Sequence, residues 1–387
     1  MPSQSLKLFN LKSDKPYQIC KRCILSTSDV EDITFDSEGI CNFCYEYEKM
    51  YSVTNIPEEK EDERLQDVIK EIKKAGEGKQ YDCICGISGG VDSTYLAYFT
   101  KKIGLRPLIV HYDNGWNSEL AVKNIEGVLN RLDLDLYTYV NDWEEFRDIQ
   151  LSFLRASVLD IELITDQAIV AILYKTARKF KIRHVITGHN TVTEGILPEA
   201  WYHWKLDGLN IRAIHNRFGK LKRKTYPIWN FKDQYVNAKS GKIKTVQLLN
   251  YTKYHRNEAK QLLMDDFDWK DYGGKHYESV FTRFYQGYIL PVKFGIDKRK
   301  AHLSTMVCSG QISRKEALEM ISKPPYEEQM LKDDKEYVIK KLGLTEEEFE
   351  SIMRAPIKKH TDYPSYLTRH FRILETLSRI TGRNRKK

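Results

Sequence analysis

The chain has 387 residues, of which 41% are hydrophobic, and its basic residues exceed its acidic ones to give a net charge of +8. This length suits two domains, or one large domain with appendages, and allows a buried core. No stretch approaches the ~18 apolar residues of a membrane-spanning helix, and no apolar run follows the N-terminal charges, so we expect a cytoplasmic protein without a membrane partner. The positive balance favours anionic ligands such as nucleotides, nucleotide-sugars or RNA.

Two cysteine pairs with 17 residues between them dominate the first 50 residues: Cys20, Cys23, Cys41 and Cys44. An odd total of seven cysteines in a long chain argues against a disulfide framework. Two Cys-x2-Cys turns at this separation are typical of a four-thiolate zinc site, which would be structural because no position is left for water. An iron–sulfur cluster is the less favoured alternative.

Alternating strands and helices follow a charged helical stretch at about 57–74. An apolar run predicts a buried strand at 81–87, further strands are predicted at 107–112, 136–140 and 184–187, and helices are predicted at 93–102, 118–132, 143–157 and 166–180. Ser118 is a plausible N-cap. This alternation indicates an α/β fold with a doubly wound parallel sheet. Period-2 burial places Cys83 and Cys85 on one face of the first strand, where we interpret them as inert core thiols.

The pattern weakens after about residue 191. Residues 198–250 are rich in Trp, Tyr, Lys and Asn without a clear period, and we interpret them as irregular substrate loops. Capping-box spacings then predict helices at 313–322 and 345–353. The proposed division is a zinc module at 1–55, an α/β domain at 56–250 and a mostly helical region at 251–387 that completes the active site. Basic runs at 220–224 and 383–387 are interpreted as solvated surface.

A glycine-rich loop, Ser88-Gly89-Gly90-Val91-Asp92-Ser93, lies between the first strand and its helix. Glycines let the backbone approach a phosphate closely, and the following helix N-terminus attracts anions. Asp92 is unusual in an anion site unless it holds Mg²⁺ or orders the loop, and the first role would point to a metal-bound triphosphate. Neither the Walker nor the Rossmann pattern is present here.

Further candidate ligands follow the strands, where open parallel sheets bind their substrates. The second strand ends in His111, Tyr112, Asp113 and Asn114, and the fourth closes on Gly188 and His189, with Glu194 close behind. A capping or packing role for His189 is an equal alternative. The predicted nucleotide-binding set is Gly86, Ser88, Gly89, Gly90, Asp92, Ser93, His111, Asp113, Asn114, Gly188 and His189.

The loop resembles the SGGxDS loop of the PP-loop ATP pyrophosphatases, which cleave ATP between the α and β phosphates and adenylate a substrate. Together with the cysteine quartet and the segments 272–284, 290–291, 297–299 and 309–314, the order of motifs from about 17 to 355 resembles the N-acetyl sugar amidotransferases of bacterial surface-polysaccharide (O-antigen) biosynthesis. The resemblance implies ATP, Mg²⁺ and structural Zn²⁺ as cofactors and a UDP-linked N-acetyl sugar as substrate.

That resemblance implies adenylation of an acetamido oxygen, followed by its replacement with ammonia to give an acetamidino group. Charge develops on the phosphates, so cations are needed nearby. The predicted catalytic residues are Asp92, Lys275, Arg283, Lys298 and Arg299, although each cation alone could be surface charge. No glutaminase signature is apparent, and residue 2 is proline, so a separate class I glutaminase subunit is expected to supply ammonia.

Two other functions fit parts of the sequence. A tRNA-modifying thiolase of the same superfamily would share the loop, the cysteine pairs and the basic balance. Such enzymes generally need an exposed catalytic cysteine, however, and nucleic acid is not the expected partner here. A zinc-bearing scaffold that only binds nucleotide is the non-enzymatic alternative.

Overall fold

Five short strands form one sheet at the centre of the protein, seen in a computed structural model that describes residues 15–55, 61–230, 233–234, 236–237 and 241–368. The strands are β1 Cys83–Ile87, β2 Pro107–Asp113, β3 Leu136–Val140, β4 His184–Ile186 and β5 Lys244–Val246. Every neighbouring pair is parallel, and the spatial order is β3-β2-β1-β4-β5. The predicted doubly wound parallel sheet is therefore confirmed.

The central strands are apolar along their length because helices cover both faces of the sheet. β1 and β2 are buried almost throughout, whereas β3, at the edge, is exposed or half-buried at every position. Cys83 and Cys85 are fully buried in β1, as predicted. Burial raises the pKa of the Cys83 thiol well above its usual range, so this thiol is protonated and unreactive.

The crossover helices begin where the sequence predicts them to within three residues. They are α3 Val91–Lys102, α4 Glu119–Leu132, α5 Trp143–Ala156 and α6 Leu163–Lys179. Ser118 caps α4 by accepting a 3.1 Å hydrogen bond from the Ala121 amide, as expected. These helices make the right-handed return that parallel strands require.

Regular structure also occurs in the segment 198–250, so the prediction that it is irregular throughout was wrong. It contains α8 Gly208–Phe218 and the edge strand β5. Residues 220–226 of this segment are anchored by buried carboxylates on α5: Glu145 accepts from the Thr225 amide at 2.8 Å, and Asp148 accepts from the Lys220 amide at 2.8 Å. Tertiary contacts of this kind leave no periodic signal in the sequence.

Further helices lie before, between and after the strands in the chain. They are α1 Asn42–Thr54, α2 Glu61–Gly76, α7 Thr191–Glu194, α9 Arg256–Phe267, α10 Val280–Phe284, a π-helix Tyr285–Phe294, α11 Arg299–Cys308, α12 Arg314–Ser322, α13 Glu328–Leu342 and α14 Glu346–Arg354, with short 3-10 helices at Glu199–Trp201, Leu248–Tyr251 and His360–Asp362. Both predicted capping boxes, at Ser313 and Thr345, are present.

One buried cluster joins the first 50 residues to the sheet and the C-terminal helices, from Cys20 to Tyr363. The proposed boundaries at residues 55 and 250 stay predictions. Within the described part of the chain, no helix is long and apolar enough to cross a membrane. The basic run 220–224 is mostly exposed, in keeping with a solvated surface, and the run 383–387 lies outside the described residues.

Candidate active site and metal centre

The glycine-rich loop lies at the carboxyl end of β1, where the strand order reverses between β1 and β4. Its two serines hold it in shape: Ser93 Oγ accepts from the Ser88 amide at 3.2 Å, and Ser88 Oγ lies 3.1 Å from Ser93 Oγ. Gly90 is the N-cap of α3 and has no side chain with which to cap the first turn. The amides at the start of α3 are thus available to an anion, as predicted for a phosphate loop.

Gly89 gives the loop its tight bend. Its φ of +90° lies in a region that residues with a Cβ rarely adopt. Its carbonyl oxygen accepts hydrogen bonds from Tyr272 Oη at 2.7 Å and Trp269 Nε1 at 3.1 Å, and Asn124 in turn donates to Tyr272 Oη at 2.9 Å. Aromatic residues more than 170 positions away therefore fix the orientation of this peptide.

The end of β4 lies directly against the loop. A Cβ at Gly188 would lie 3.2 Å from both Cα and N of Ser93, closer than most such contacts. Gly86, on β1, is different because a Cβ there would make ordinary contact with Leu173 at 3.4 Å. Gly188 is therefore required by close approach, whereas Gly86 is not.

Asp92 lies among polar groups from three other segments. Lys275 Nζ is 3.0 Å from Glu194 Oε1 and 4.0 Å from Asp92 Oδ2. Tyr254 Oη donates to the other Asp92 oxygen, and Thr193 Oγ1 lies 3.5 Å from Asp92 Oδ2. Lys275 is the predicted cation that the fold brings to the loop, and its ammonium bridges the two carboxylates.

The charges in this cluster are mutually supporting. Burial alone would raise the pKa of Glu194, but Lys275 and His189 outweigh it and hold that pKa well below its usual range. The hydrogen bond to Glu194 raises the pKa of His189. His189 is therefore paired with a carboxylate beside the loop, and its assignment as a nucleotide ligand stays a prediction.

Glu278 reaches the loop because residues 278–280 run alongside the chain that follows β2. The Ser118 amide donates to the Glu278 carbonyl at 2.9 Å, and the Val280 amide donates to Trp116. The Glu278 carboxylate lies 3.4 Å from Ser88 Oγ. Burial opposes its charge, but His276, a backbone hydrogen bond and Lys275 together outweigh burial and lower the pKa of Glu278, so it is ionised beside the phosphate loop.

The three polar residues at the carboxyl end of β2 mainly bond to the protein itself. His111 Nδ1 donates to the Ile87 carbonyl at 2.9 Å, while its Nε2 accepts from Asn117 at 2.9 Å. Asp113 and Asn114 accept from the Gly115 and Trp116 amides. They shape the turn at the edge of the site, and their predicted direct contact with the nucleotide stays a prediction.

The other predicted cations differ in their surroundings. Arg283 forms a two-pronged ion pair with Asp334 at 2.7 and 2.8 Å, and Arg299 pairs with Asp297. Lys298 is the N-cap of α11 and acts electrostatically on His302. Each arginine thus forms an ion pair with its own aspartate, and the catalytic roles of both arginines stay predictions.

Several residues of the cluster were not singled out from the sequence: Tyr254, Tyr272, His276, Glu278 and His302. Three of them lie in the segment 272–284, whose resemblance to a known family was the available signal. His302 follows Lys298 by one helical turn and carried no signal of its own.

Four buried cysteine sulfurs form a second centre, at the N-terminus of the chain. The sulfurs of Cys20, Cys23, Cys41 and Cys44 all lie within 4.8 Å of one another, and the Cys20–Cys44, Cys23–Cys41 and Cys41–Cys44 separations are 3.8, 3.6 and 3.7 Å. A tetrahedral ion with Zn–S bonds of about 2.3 Å has edges of about 3.8 Å. The four thiolates therefore fit a single metal ion, whereas a four-iron cluster needs sulfurs much farther apart because each binds a different iron.

The cysteine cluster is fastened to α11 and α12. Cys308, at the end of α11, has its sulfur 3.7 Å from that of Cys44, and Ser304 Oγ accepts from the Ile24 amide at 3.3 Å. Arg314 donates to the carbonyl oxygens of Cys20 and Cys23 at 2.9 and 3.0 Å. The helix that carries His302 toward the phosphate loop is thus held at its other end by the metal-binding cluster.

Among the described residues, the cysteines are the one group of three or more candidate metal ligands that converge. Mg²⁺ commonly takes one or two carboxylates and completes its shell with substrate phosphates and water. Asp92 could hold Mg²⁺ in this way once a triphosphate occupies the loop. The site as a whole can bind a polyphosphate and stabilise negative charge on it.

Residues 278–378 match the family model of the LPS biosynthesis protein WbpG-like C-terminal domain. No curated protein matches the chain. Similar solved structures include NMN synthetase from Francisella tularensis, with 15% identity, 52% of this chain and 93% of that chain covered, and a TM-score of 0.29. Another is the NH3-dependent NAD synthetase from Campylobacter jejuni, which is 14% identical and has a TM-score of 0.29; the match covers 78% of this chain and 99% of that chain.

A third similar structure is the U34-tRNA thiolase NcsA from Methanococcus maripaludis with its [4Fe-4S] cluster. It is 12% identical and has a TM-score of 0.28, and the match covers 79% of this chain and 89% of that chain. The fold class rests on the strand order and the loop described above. The matched C-terminal segment begins at Glu278, the residue that contacts this loop. Residues 278–378 are therefore similar to the C-terminal domain of the WbpG-like lipopolysaccharide-biosynthesis proteins, and they follow a doubly wound sheet whose glycine-rich loop resembles that of the PP-loop ATP pyrophosphatases.

Proposed function

We propose that the protein is an ATP-dependent amidotransferase of surface-polysaccharide (O-antigen) biosynthesis. It adenylates the acetamido oxygen of a UDP-linked sugar and replaces that oxygen with ammonia to form an acetamidino group. The observation that carries the proposal is the convergence of Ser88–Ser93, Lys275 and Glu278 at the switch point of the sheet. This convergence joins a pyrophosphatase-type loop to the WbpG-like segment in one site.

The first step makes the substrate oxygen a leaving group. The acetamido oxygen attacks the α phosphorus of ATP, the bond to the β phosphate breaks, and pyrophosphate departs. Negative charge grows on the departing pyrophosphate, where the α3 N-terminus and Lys275 stabilise it. Mg²⁺ held by Asp92 and the phosphates would share that charge.

The second step uses ammonia as the nucleophile. Nitrogen bonds to the activated carbon, the carbon–oxygen bond breaks, and AMP leaves with the former acetamido oxygen. Ammonia would come from a separate class I glutaminase. The cysteine quartet would hold structural Zn²⁺, which orients α11 and takes no part in either step.

The arrangement of the cysteines disfavours the tRNA-thiolase alternative. Six of the seven, all but Cys308, are fully buried. Cys308 is half-buried and lies against the metal-binding cluster. A thiolase needs a reactive, accessible thiol, and none of the described cysteines offers one.

Mass spectrometry of the products tests the proposal. The purified chain is mixed with MgATP, ammonium and a UDP-linked diacetamido uronic acid. We expect a sugar nucleotide lighter by the difference between an oxygen atom and an imino group, with one AMP released per product. Glutamine should replace ammonium only when a glutaminase is added. AMP release without a changed sugar would contradict the amidotransferase and redirect the test to tRNA.

A further inference from the structure

His302 lies near His276 and Lys275, with both ring nitrogens buried and without a hydrogen-bond partner among the described residues. It projects from α11, one turn after Lys298, and its ring centroid is 5.5 Å from that of His276. A buried donor or acceptor without a partner is costly, so such groups in proteins usually face a ligand or an ordered water. Two such unpartnered nitrogens on the same imidazole ring indicate that the ring faces a ligand-binding surface.

The groups that act on this ring are mainly basic. Lys275, His276 and Lys298 all act against a positive charge on it, and Glu194 is the carboxylate that acts in the opposite sense. Burial, reinforced by these three residues, holds the pKa of His302 well below its usual range. The imidazole is therefore neutral and presents one N–H donor into a positively charged recess.

Lys275 connects this recess to the loop. Its ammonium lies 4.0 Å from Asp92 in the first turn of α3 and also acts on His302. A phosphate group at the α3 N-terminus would thus share Lys275 with any anion that contacts His302. Two linked phosphates, rather than one, match this extended row of donors.

We propose that His302 is a diphosphate ligand, donating a ring N–H to a phosphate oxygen next to Lys275. The inference rests on the proposed function and deepens it. The diphosphate is either the β,γ portion of ATP or that of the UDP-sugar, because both present the same oxygens.

Calorimetric titration of the full chain with magnesium pyrophosphate and, separately, with UDP distinguishes these sources. We expect His302→Phe, which keeps a ring but removes both nitrogens, to weaken binding of one of them by at least about tenfold, the size of one hydrogen bond to a charged group. His302→Asn and His302→Gln place an amide near Nδ1 and Nε2 respectively, so the variant that restores affinity identifies the donating nitrogen. His184→Asn is the matched control, because His184 is a buried histidine with an unpartnered Nδ1 at the amino end of β4.

Unchanged affinity of His302→Phe for both ligands would overturn the inference and leave the proposed function standing. A wild-type chain that binds neither ligand would overturn both. If His302→Phe does not fold, exchange of the histidine C2 hydrogens in the wild-type chain decides the question. Bound pyrophosphate or UDP should slow this exchange at His302 and leave His184 unchanged, whereas equal rates with and without ligand would refute the contact.

Discussion

Loss of the metal from the cysteine cluster should disable the phosphate site as well as the N-terminal fold. We consider Cys23→Ser, which removes one of four fully buried thiolates. Structural zinc contributes about 10–16 kcal/mol in small zinc-finger peptides, comparable to or larger than the about 5–15 kcal/mol that stabilises a whole domain. Residues 15–50 should therefore lose their fixed structure.

The damage should spread along α11. Ser304 and Cys308 lose their contacts with the cluster, and the carbonyls that Arg314 binds become mobile. His302, on the same helix, then loses its position beside the loop. We expect Cys23→Ser to lower metal content, the urea midpoint and pyrophosphate affinity together.

Cys83→Ser is the matched control, because Cys83 is equally buried but lies in β1, outside the cluster. It should cost only the about 1–3 kcal/mol of a buried hydroxyl and keep one metal ion per chain. Metal analysis, urea titration and calorimetry measure the three quantities. The reasoning fails if Cys23→Ser keeps its metal and unfolds at the same urea concentration as Cys83→Ser.

Three further predictions concern the loop and the buried histidines. Lys275→Met should lower kcat/KM for MgATP by roughly 10²-fold, because it removes a charge that stabilises the departing pyrophosphate. The control Lys270→Met changes an exposed lysine and should leave kcat/KM unchanged, and equal kcat/KM values for the two variants would exclude Lys275 from the site. Gly188→Ala should displace Ser93 and slow ATP turnover, while Gly86→Ala stays near wild type, as steady-state rates would reveal. Burial, with His203 and Lys205, lowers the pKa of His360 to about 2 from 6.5. Below pH 6.5, His360 therefore binds a proton in the unfolded chain but stays neutral in the folded chain. The free energy of unfolding should fall as pH drops below 6.5, by up to about 1.4 kcal/mol per pH unit. Urea titrations at several pH values should show that, in His360→Gln, this free energy depends less steeply on pH than in the wild-type chain, by the equivalent of one proton.

Local patterns made the sheet and the loop predictable. Apolar runs that close on glycines identify buried parallel strands, and Ser88 to Ser93 are contiguous, so the strand–loop–helix unit could be read directly. The cysteine quartet was visible for the same reason, since two short turns supply all four sulfurs.

The rest of the site depends on contacts between distant segments. Glu278 meets Ser88 across 190 positions, and Tyr254 meets Asp92 across 162. Arg283 and Lys275 look alike in the sequence, but Asp334 pairs with the former and Glu194 with the latter. Only the folded chain shows which cation belongs to the loop.

The fate of the acetamido oxygen tests the central claim most directly. A UDP-linked sugar carrying heavy oxygen in its acetamido group is incubated with the chain, MgATP and ammonium, and the products are separated for mass spectrometry. The account predicts that the label appears in AMP and disappears from the sugar, because the oxygen leaves bonded to the α phosphorus. Label that remains in the sugar, or is released to water while AMP stays unlabelled, would contradict adenylation of the substrate.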